Sequence, residues 1–270
     1  MSRRCQTHSG AAIINEAVHV TRPSSSAAPS STSSPAPNSD ESIWNGASSL
    51  LSVPSTCGDI GATWDITSES GPNGNINWLN CGINDSGGWR PQVVRIDQVV
   101  VQDLSKALAD KNSPFLACSG YVDEFYKYGN EYGIPPIMLA SFAMQESSCN
   151  PATVGGAGEQ GLMQLTPDKC ANAPGGNCKD IDFNIGAGAK FLKSLLDENG
   201  GNVIPAIGHY NGWDEGMTYS SATAAAKTGC CRCQNNLDYL HQFLNGWCQN
   251  VNAYQYNLGI YHNLAACPYG

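Results

Sequence analysis

Residues 134–151 read IPPIMLASFAMQESSCNP, and this stretch decides the fold class. The two prolines near its start fit the first turn of a helix, and the Asn-Pro pair at its end is typical of a helix ending. Nearly every residue between them is apolar, which predicts a buried helix. Its one acid, Glu146, lies in the last turn and shares a face with Met138 and Phe142, which precede it at four-residue intervals.

The position of Glu146 has consequences for its chemistry. Apolar neighbours and the negative end of a helix dipole both disfavour the charged carboxylate, so we expect a raised pKa. A carboxyl group that stays protonated near neutral pH can donate its proton to a glycosidic oxygen, which makes Glu146 a candidate acid for glycan cleavage. The alternative is a solvated glutamate at a helix end, which is the commoner case when the helix is considered alone.

Further helices are predicted on the N-terminal side of this stretch. Apolar residues recur at three- and four-residue spacing in residues 99–109 and again in residues 121–132, with polar faces between them. The chain before Pro91 shows little of this periodicity. The helical part of the protein is therefore expected to begin after that proline.

The N-terminal part of the chain is of a different kind. Residues 23–42 are almost entirely Ser, Ala, Pro and Thr, so we predict a disordered leader and linker over residues 1–56. Residues 57–90 are rich in Gly, Asn, Asp and Trp, which predicts a loop-rich extension over residues 57–115 that packs on the core. We expect its tryptophans to be core residues, with sugar stacking as the alternative. These tryptophans are Trp64, Trp78 and Trp89.

Length and charge exclude several classes of function. The chain has 270 residues, enough for one main domain, which we place at residues 116–270. Its formal net charge of −9 and sequence pI near 4.9 offer no basic surface for nucleic acid or anionic lipid. No apolar run approaches the ~20 residues of a spanning helix. We therefore expect a monomer that has neither nucleic acid nor a membrane as a partner.

Twelve cysteines are far more than a cytosolic enzyme usually carries. The CCRC cluster at residues 230–233 lacks the paired spacing of a zinc site, so we predict disulfide bonds and no metal. Cys170 and Cys178 bracket a Gly/Pro-rich loop and form a candidate local pair, whereas Cys5 is not expected to be structural. We predict a secreted, extracellular protein, although the charged start of the chain is followed by an apolar run too short for a convincing signal peptide.

Four short motifs begin at the end of the predicted helix. They are Glu146-Ser147, Gly161-Leu162-Met163-Gln164, Asn184-Ile185 with Gly188, and His209-Tyr210-Asn211-Gly212. In order and approximate spacing, this set resembles the lytic transglycosylase and goose-type lysozyme superfamily over residues 118–213. It is most similar to fungal secreted proteins with a soluble lytic transglycosylase domain. The resemblance implies a mainly α, lysozyme-like helical domain with a groove for several sugars, next to the loop-rich, disulfide-stabilised N-terminal extension.

The resemblance also implies roles for individual residues. Glu146 would be the catalytic acid and base, with Ser147 in support. The second motif would form a turn that lines the groove, where glycine permits close approach of the glycan. Gln164 can hydrogen-bond an N-acetyl group or a ring hydroxyl there. The residues of this turn are Gly161, Leu162, Met163 and Gln164.

Two more residues would close the far side of the groove. The resemblance places the Tyr210 hydroxyl near the Glu146 carboxyl and gives Asn211 a part in shaping substrate contacts. Asn184 and Gly188 belong to a helix that runs to about residue 196, and we expect them to serve helix packing rather than chemistry.

The family's transglycosylases use the substrate's own hydroxyl group as the nucleophile. The muramic acid 6-hydroxyl attacks the oxocarbenium-like centre, and the deprotonated glutamate accepts its proton. The product is a 1,6-anhydro sugar, and neither a second carboxylate nor a cofactor is required. We therefore expect cleavage of β-1,4 bonds between N-acetylmuramic acid and N-acetylglucosamine in bacterial peptidoglycan.

Two further readings of the function stay open. A lysozyme- or chitinase-type hydrolase would need a second carboxylate to hold a water, and no motif singles one out. Many relatives have small residues where this chain has His209 and Trp213, which keeps a chitin-like glycan open as the substrate. Trp213 can be a stacking wall or a core residue, and His209 is expected to be structural. The candidate second carboxylates of a hydrolase are Glu159, Asp168, Asp180, Asp182 and Asp214.

The second interpretation that stays open is a glycan-binding protein without turnover.

Overall fold

The structure is a computed structural model that describes residues 47–267 and the backbone of a two-residue strand nearer the N-terminus. That strand, β1 (Val18–His19), pairs antiparallel with β2 (Asp65–Ile66). The predicted leader, the linker and Cys5 otherwise lie outside the described residues, apart from residues 47–56. The helices are α1 (Ile76–Leu79), α2 (Leu104–Ala109), α3 (Val122–Tyr132), α4 (Pro136–Ser147), α5 (Ile181–Glu198), α6 (Val203–Tyr210), α7 (Tyr219–Ala222) and α8 (Tyr239–His241).

Short tight helices join these elements. A π-helical turn, Gln242–Gly246, continues α8 directly. The 3-10 helices are Ile96–Gln98, Pro114–Tyr121, Pro167–Cys170, Pro174–Gly176, Ala224–Lys227, Cys231–Cys233 and Trp247–Gln249. The prediction of a mainly helical protein is confirmed.

Helix α4 is the centre of the described structure; it begins at the second proline of the predicted stretch, as expected, and ends at Ser147, three residues before the Asn-Pro pair. All of its residues except the last are buried. It ends because Ser148 and Cys149 adopt left-handed backbone angles, φ 53° and 57°. The Ser148 N–H turns back to the Met144 carbonyl and the Cys149 N–H to the Ala143 carbonyl, each at 3.0 Å, and the first of these bonds is the one that closes an αL helix ending. Glu146 therefore lies in the capped last turn of α4.

Helix α4 packs against α3 and against three of the short helical segments, Pro114–Tyr121, Gln242–Gly246 and Trp247–Gln249. Helix α3 packs on both α4 and α5, and α5 packs on α6. At the centre, the Phe142 ring lies 4.2 Å from that of Tyr210 and 4.4 Å from that of Phe243, measured between ring centroids. The helix predicted at residues 99–109 begins later, at α2, because the Asp103 side chain accepts the Lys106 N–H at 3.0 Å and caps the helix there.

The loop-rich extension packs closely on the helical part. Trp78 and Trp89 are fully buried, which confirms their predicted core role, whereas Trp64 is half-buried. Asn73 donates from its amide to the Leu244 carbonyl at 2.8 Å, and so joins the extension to the π-helical turn. The boundaries of the extension stay a prediction.

Five disulfide bonds join cysteines in the part of the chain that is described. The predicted Cys170–Cys178 bond is confirmed, and the 230–233 cluster is disulfide-bonded rather than arranged for zinc. Cys248 is buried and unpaired within residues 47–267. Among those residues no helix is both long and apolar enough to cross a membrane. The disulfide pairs are Cys57–Cys81, Cys118–Cys149, Cys170–Cys178, Cys230–Cys233 and Cys231–Cys267.

A buried histidine is expected to make the fold sensitive to acid. His241 lies between the Thr67 carbonyl and the Asn245 amide, both at 3.0 Å, and its burial lowers its pKa to about 4. An unfolded chain takes up this proton near pH 6.5, so stability is full above that pH and falls as the pH drops toward 4. Between pH 7 and pH 5 the loss should be about 2 kcal/mol, measured by denaturant unfolding.

A matched pair of variants isolates this contribution. His241→Gln should flatten the pH dependence relative to the wild type, whereas His209→Gln, which changes a histidine elsewhere, should preserve it. An unchanged pH dependence in His241→Gln would show that other groups cause the acid sensitivity.

Candidate active site

Glu146 lies at the end of α4 with only 4% of its surface exposed. Its Oε1 atom accepts a hydrogen bond from the Tyr239 hydroxyl at 2.6 Å. The Tyr254 hydroxyl donates to the carbonyl of the preceding residue, Gln145, at 2.8 Å, and burial and the charge of Glu146 together raise the pKa of Tyr254 well above its usual range. The carboxylate is thus enclosed by protein, and a solvated glutamate does not describe this structure.

Ser147 connects this helix end to the predicted turn. Its hydroxyl oxygen lies 2.9 Å from the carbonyls of Ala143, one turn back in α4, and of Leu162 in the turn. Ser147, the residue that follows Glu146, is therefore hydrogen-bonded directly to the 161–164 turn. A supporting role for Ser147 is consistent with this geometry.

Residues 161–164 form a tight turn closed by paired backbone hydrogen bonds between Gln160 and Leu165, at 2.9 and 3.0 Å. Gly161 has φ 79°, and a Cβ atom there would lie 2.5 Å from the Asn184 amide nitrogen, so only glycine fits. Gln164 is buried, and its amide nitrogen donates to the Gly161 carbonyl at 2.8 Å. Its side chain thus braces the turn, and its predicted contact with a sugar stays a prediction.

Asn184 fixes the turn from helix α5. Its side-chain oxygen accepts the Met163 N–H at 2.8 Å, and its amide donates to the carbonyls of Gln160 at 2.9 Å and Cys178 at 2.7 Å. A Cβ atom on Gly188 would lie 2.8 Å from the Met163 side chain. Both residues therefore serve packing, as expected from the sequence.

Tyr210 and Asn211 hold two other segments in place. The Tyr210 hydroxyl donates to the Met163 carbonyl at 2.9 Å, and the Asn211 side chain accepts the Asn236 N–H at 3.2 Å. Asn211 thus supports the segment that leads to Tyr239. The hydroxyl bonded to Glu146 at 2.6 Å is that of Tyr239, and the expected proximity of the Tyr210 hydroxyl to this carboxyl stays a prediction.

Tyr239 is the site residue that the sequence did not reveal. It lies 93 residues after Glu146 and follows no recognisable motif. The residue before it, Asp238, is buried and accepts three backbone N–H groups on its carboxylate, from Ile260 and Tyr261 at 2.9 Å and from His262 at 2.7 Å. This arrangement fixes the backbone that carries the Tyr239 ring.

Two residues that mark departures from the family pattern prove to be structural. Trp213 is fully buried and makes an edge-to-face contact with Trp89 at 5.0 Å between ring centroids, so it is a core residue rather than a wall for sugars. The His209 ring lies 3.3 Å from the Asn199 amide, in agreement with a structural hydrogen bond.

The candidate second carboxylates differ sharply in their surroundings. Asp180 caps α5, Asp182 pairs with Lys127 at 2.5 Å, and Asp168 and Asp214 are exposed. Glu159 alone is buried, with 1% of its surface exposed. Its Oε2 atom accepts the Ala157 N–H at 3.0 Å, and its Oε1 atom has no hydrogen-bond partner among the described residues.

Part of the chain is similar to known proteins. The Transglycosylase SLT domain family matches residues 123–225. A curated transglycosylase from Enterobacteria phage PRD1 is 34% identical over 93 residues, which are 34% of this chain and 35% of that protein. Closeness to fungal proteins stays a prediction.

Solved structures of lytic transglycosylases are also similar to parts of the chain. An inactive mutant of the lytic transglycosylase Slt from Pseudomonas aeruginosa matches 33% of this chain and 16% of its own, with 23% identity and a TM-score of 0.31. The 70 kDa soluble lytic transglycosylase from Escherichia coli matches 50% of this chain and 23% of its own, with 23% identity and a TM-score of 0.34.

This chain thus spans about a third of the curated relative and less than a quarter of each of these two structures. The matched segment contains Glu146, the 161–164 turn and Tyr210, which are the features that carried the resemblance in the sequence. Over residues 123–225, this chain is therefore similar to the Transglycosylase SLT domain family.

Proposed function

We propose that the protein cleaves β-1,4 glycosidic bonds between N-acetylmuramic acid and N-acetylglucosamine in bacterial peptidoglycan and forms 1,6-anhydro products. The observation that carries the proposal is the buried carboxyl of Glu146, which is hydrogen-bonded by Tyr239 at the end of α4 and lies within the family match. Glu146 is the general acid and base of this reaction, and no cofactor takes part.

Glu146 acts twice in the proposed reaction. Its carboxylic acid first protonates the glycosidic oxygen as the bond to the leaving sugar breaks. The resulting carboxylate then accepts the proton of the muramic acid 6-hydroxyl as that oxygen bonds to the anomeric carbon. The proton count balances, because the acid is restored and no water is consumed. The Tyr239 hydroxyl stabilises the carboxylate formed between the two steps.

The proposal is tested by the mass of the products. The protein is incubated with purified peptidoglycan and, separately, with chitin oligomers, and the soluble products are analysed by mass spectrometry. Peptidoglycan products lighter than the hydrolytic ones by the mass of one water support the proposal. Ordinary reducing-end products would indicate a hydrolase, and an absence of products from both substrates would indicate a glycan-binding protein.

A hydrolase is the second candidate, and the surroundings of Glu159 favour it over a glycan-binding protein without turnover. The buried Glu159 carboxylate lies in the loop that leads into the 161–164 turn, and a Cβ atom on Gly155 would collide with its Oε2 and lie 2.8 Å from the Gln164 side-chain oxygen. A carboxylate oxygen without a partner among residues 47–267 can hold a water for attack.

Replacing Glu159 by Gln separates the two reactions. Under our proposal the anhydro product forms within about threefold of the wild-type rate, because intramolecular attack needs no second carboxylate and a missing general base would cost about 100-fold or more. The rate of each product is followed by mass spectrometry. A loss of about 100-fold, confined to hydrolytic products, would assign Glu159 as the base of a hydrolase.

Replacing Tyr239 by Phe tests the hydrogen bond to Glu146. A hydroxyl that donates to a carboxylate stabilises the charged form, so its removal should raise the pKa of Glu146 and shift the corresponding limb of the pH–rate profile upward. The loss of a hydrogen bond to a charged group should lower kcat about tenfold to a hundredfold. Tyr219→Phe, at an exposed tyrosine, is the control and should leave the profile unchanged. An unshifted profile in Tyr239→Phe would rule out this role.

We also infer that the protein works outside the cell as a monomer. Five disulfide bonds are typical of an oxidising compartment, which is where a peptidoglycan- or chitin-cleaving enzyme meets its substrate. Detection of the protein in culture medium, and its elution as a 28.6 kDa species in size-exclusion chromatography, would test both statements.

A further inference from the structure

A turn that follows helix α1 contains the sequence Asn84-Asp85-Ser86. Asparagine followed at the second position by serine or threonine, with any residue except proline between them, is the acceptor pattern for N-linked glycosylation. The pattern occurs once in the 270 residues of the chain. The carboxylate of its middle residue pairs with Arg90 at 2.8 Å, so the negative charge next to Asn84 is countered. An N-linked glycan on this protein would therefore have one place of attachment, Asn84.

Two successive backbone turns present this sequence to solvent. The Asp85 N–H donates to the Gly82 carbonyl at 2.8 Å, and the Asp85 carbonyl accepts the Gly88 N–H at 3.1 Å. Asn84, Asp85 and Ser86 are all exposed. A bulky, hydrated group attached to such a turn displaces water rather than protein, so the fold can accommodate it.

Two tyrosine rings lie beside this turn. The Tyr219 N–H donates to the Ile83 carbonyl at 2.7 Å, which fixes Tyr219 next to the turn. The ring centroids of Tyr219 and Tyr261 are 6.1 Å apart. Burial raises the pKa of the Tyr261 hydroxyl, and the Asn80 and Asn84 side chains, which lie within hydrogen-bonding reach of it, oppose that rise. A sugar linked to the Asn84 amide nitrogen would therefore begin beside this tyrosine pair.

The tyrosine pair offers an apolar surface to solvent. Tyr219 is 44% exposed, and Ile260, which precedes Tyr261 in the chain, is 39% exposed. The flat face of a tyrosine ring is apolar and suits the C–H face of a sugar ring, while its hydroxyl can bond to a polar edge. The surface next to Asn84 thus has the chemistry to receive the first sugar of an attached glycan.

We propose that Asn84 carries an N-linked glycan whose first N-acetylglucosamine packs on Tyr219 and Tyr261. The donor is an oligosaccharide held on a lipid pyrophosphate in a eukaryotic secretory pathway. The Asn84 amide nitrogen bonds to the anomeric carbon as the bond from that carbon to the phosphate oxygen breaks, and the amide loses one proton to the transferase. Its remaining N–H can still reach the Tyr261 hydroxyl. The inference goes beyond the proposed glycan cleavage and rests on the export of the protein.

Peptide mass spectrometry tests the attachment. In protein recovered from the culture medium of the cells that naturally make it, enzymatic release of N-glycans should convert Asn84 to Asp. An unmodified Asn84 there would overturn the proposal. In a eukaryotic secretory host, Ser86→Ala should abolish the modification and Ser86→Thr should keep it, because the acceptor pattern requires the hydroxyl. Asn112→Gln, at an exposed asparagine followed by Ser-Pro, is the control and should leave Asn84 glycosylated.

Thermal unfolding tests the contact with the tyrosine pair. Glycosylated wild type should melt roughly 2–4 °C above its unglycosylated Ser86→Ala variant, the shift expected from one aromatic contact in a chain of this size. Both proteins should melt alike when made in a host without N-glycosylation, which separates the effect of the glycan from that of the substitution. In the Tyr219→Ala background the difference should fall below about 1 °C. A difference that Tyr219→Ala leaves unchanged would overturn the packing on the tyrosine pair.

Neither the mass nor the melting temperature depends on turnover. Failure of every form of the protein to cleave a glycan would therefore contradict the proposed function and leave the modification of Asn84 intact. An unmodified Asn84 in an active enzyme would do the reverse.

Discussion

Replacing Glu146 by Gln should reduce glycan cleavage by about 1,000-fold, because an amide cannot deliver the proton that the leaving oxygen needs. Gln has nearly the same shape as Glu, and its carbonyl oxygen can still accept the Tyr239 hydroxyl. The fold and the affinity for glycan strands should therefore be kept. Turnover is measured as the release of soluble products from peptidoglycan, and affinity is measured separately with the same strands.

A matched acid elsewhere provides the control for this experiment. Glu69→Gln changes an exposed glutamate in the N-terminal extension and should leave turnover within about twofold. If Glu146→Gln kept more than a tenth of the wild-type rate, another group would have to be the acid. If it lost glycan affinity along with turnover, the carboxyl would serve binding rather than proton transfer.

Replacing Asp238 by Asn should destabilise the protein by about 4 kcal/mol, since hydrogen bonds to a charged group each contribute about 1.5–3 kcal/mol. Three backbone N–H groups donate to this carboxylate, and the variant would turn an amide N–H₂ toward at least one of them. The melting temperature should fall by roughly 10 °C for a chain of this size. Denaturant unfolding and calorimetry measure the two quantities.

The same variant should also affect catalysis, because Asp238 anchors the backbone next to Tyr239. We expect a lower kcat even at temperatures where Asp238→Asn is fully folded, as judged by circular dichroism. Asp182→Asn is the control: its carboxylate forms an exposed ion pair with Lys127, so the change in stability should be below about 1 kcal/mol. Equal effects of the two variants would show that the three backbone contacts contribute little.

The part of the site that could be predicted is local in the sequence. Helix α4 follows from its prolines and its apolar run, and the turn at Gly161 follows from a motif in which glycine is required by a left-handed angle. The predicted start of α2, at residue 99, is wrong by five residues, because periodicity in residues 99–109 does not reveal that Asp103 caps the helix. Such a cap depends on one side chain rather than on a repeating pattern.

The parts that could not be predicted depend on contacts between distant segments. Tyr239 reaches Glu146 only because the chain returns to α4 after 93 residues, and neither periodicity nor spacing reports such a contact. The burial of Glu159 likewise depends on the shape of its loop, in which the space beside Gly155 is taken by the Glu159 and Gln164 side chains. Among five acids close in sequence, only the structure separates this one from the rest.

The disulfide between Cys118 and Cys149 lies three residues from Glu146 and joins the end of α4 to the segment that leads into α3. In a reducing cytosol this cross-link would be open, and the last turn of α4 would be held by noncovalent contacts alone, such as the hydrogen bonds of Ser147 and of Tyr239. A newly made copy would then hold its acid less firmly than an oxidised one. Reduction should lower the catalytic activity, and the activity should rise as the thiols of Cys118 and Cys149 are oxidised to the disulfide.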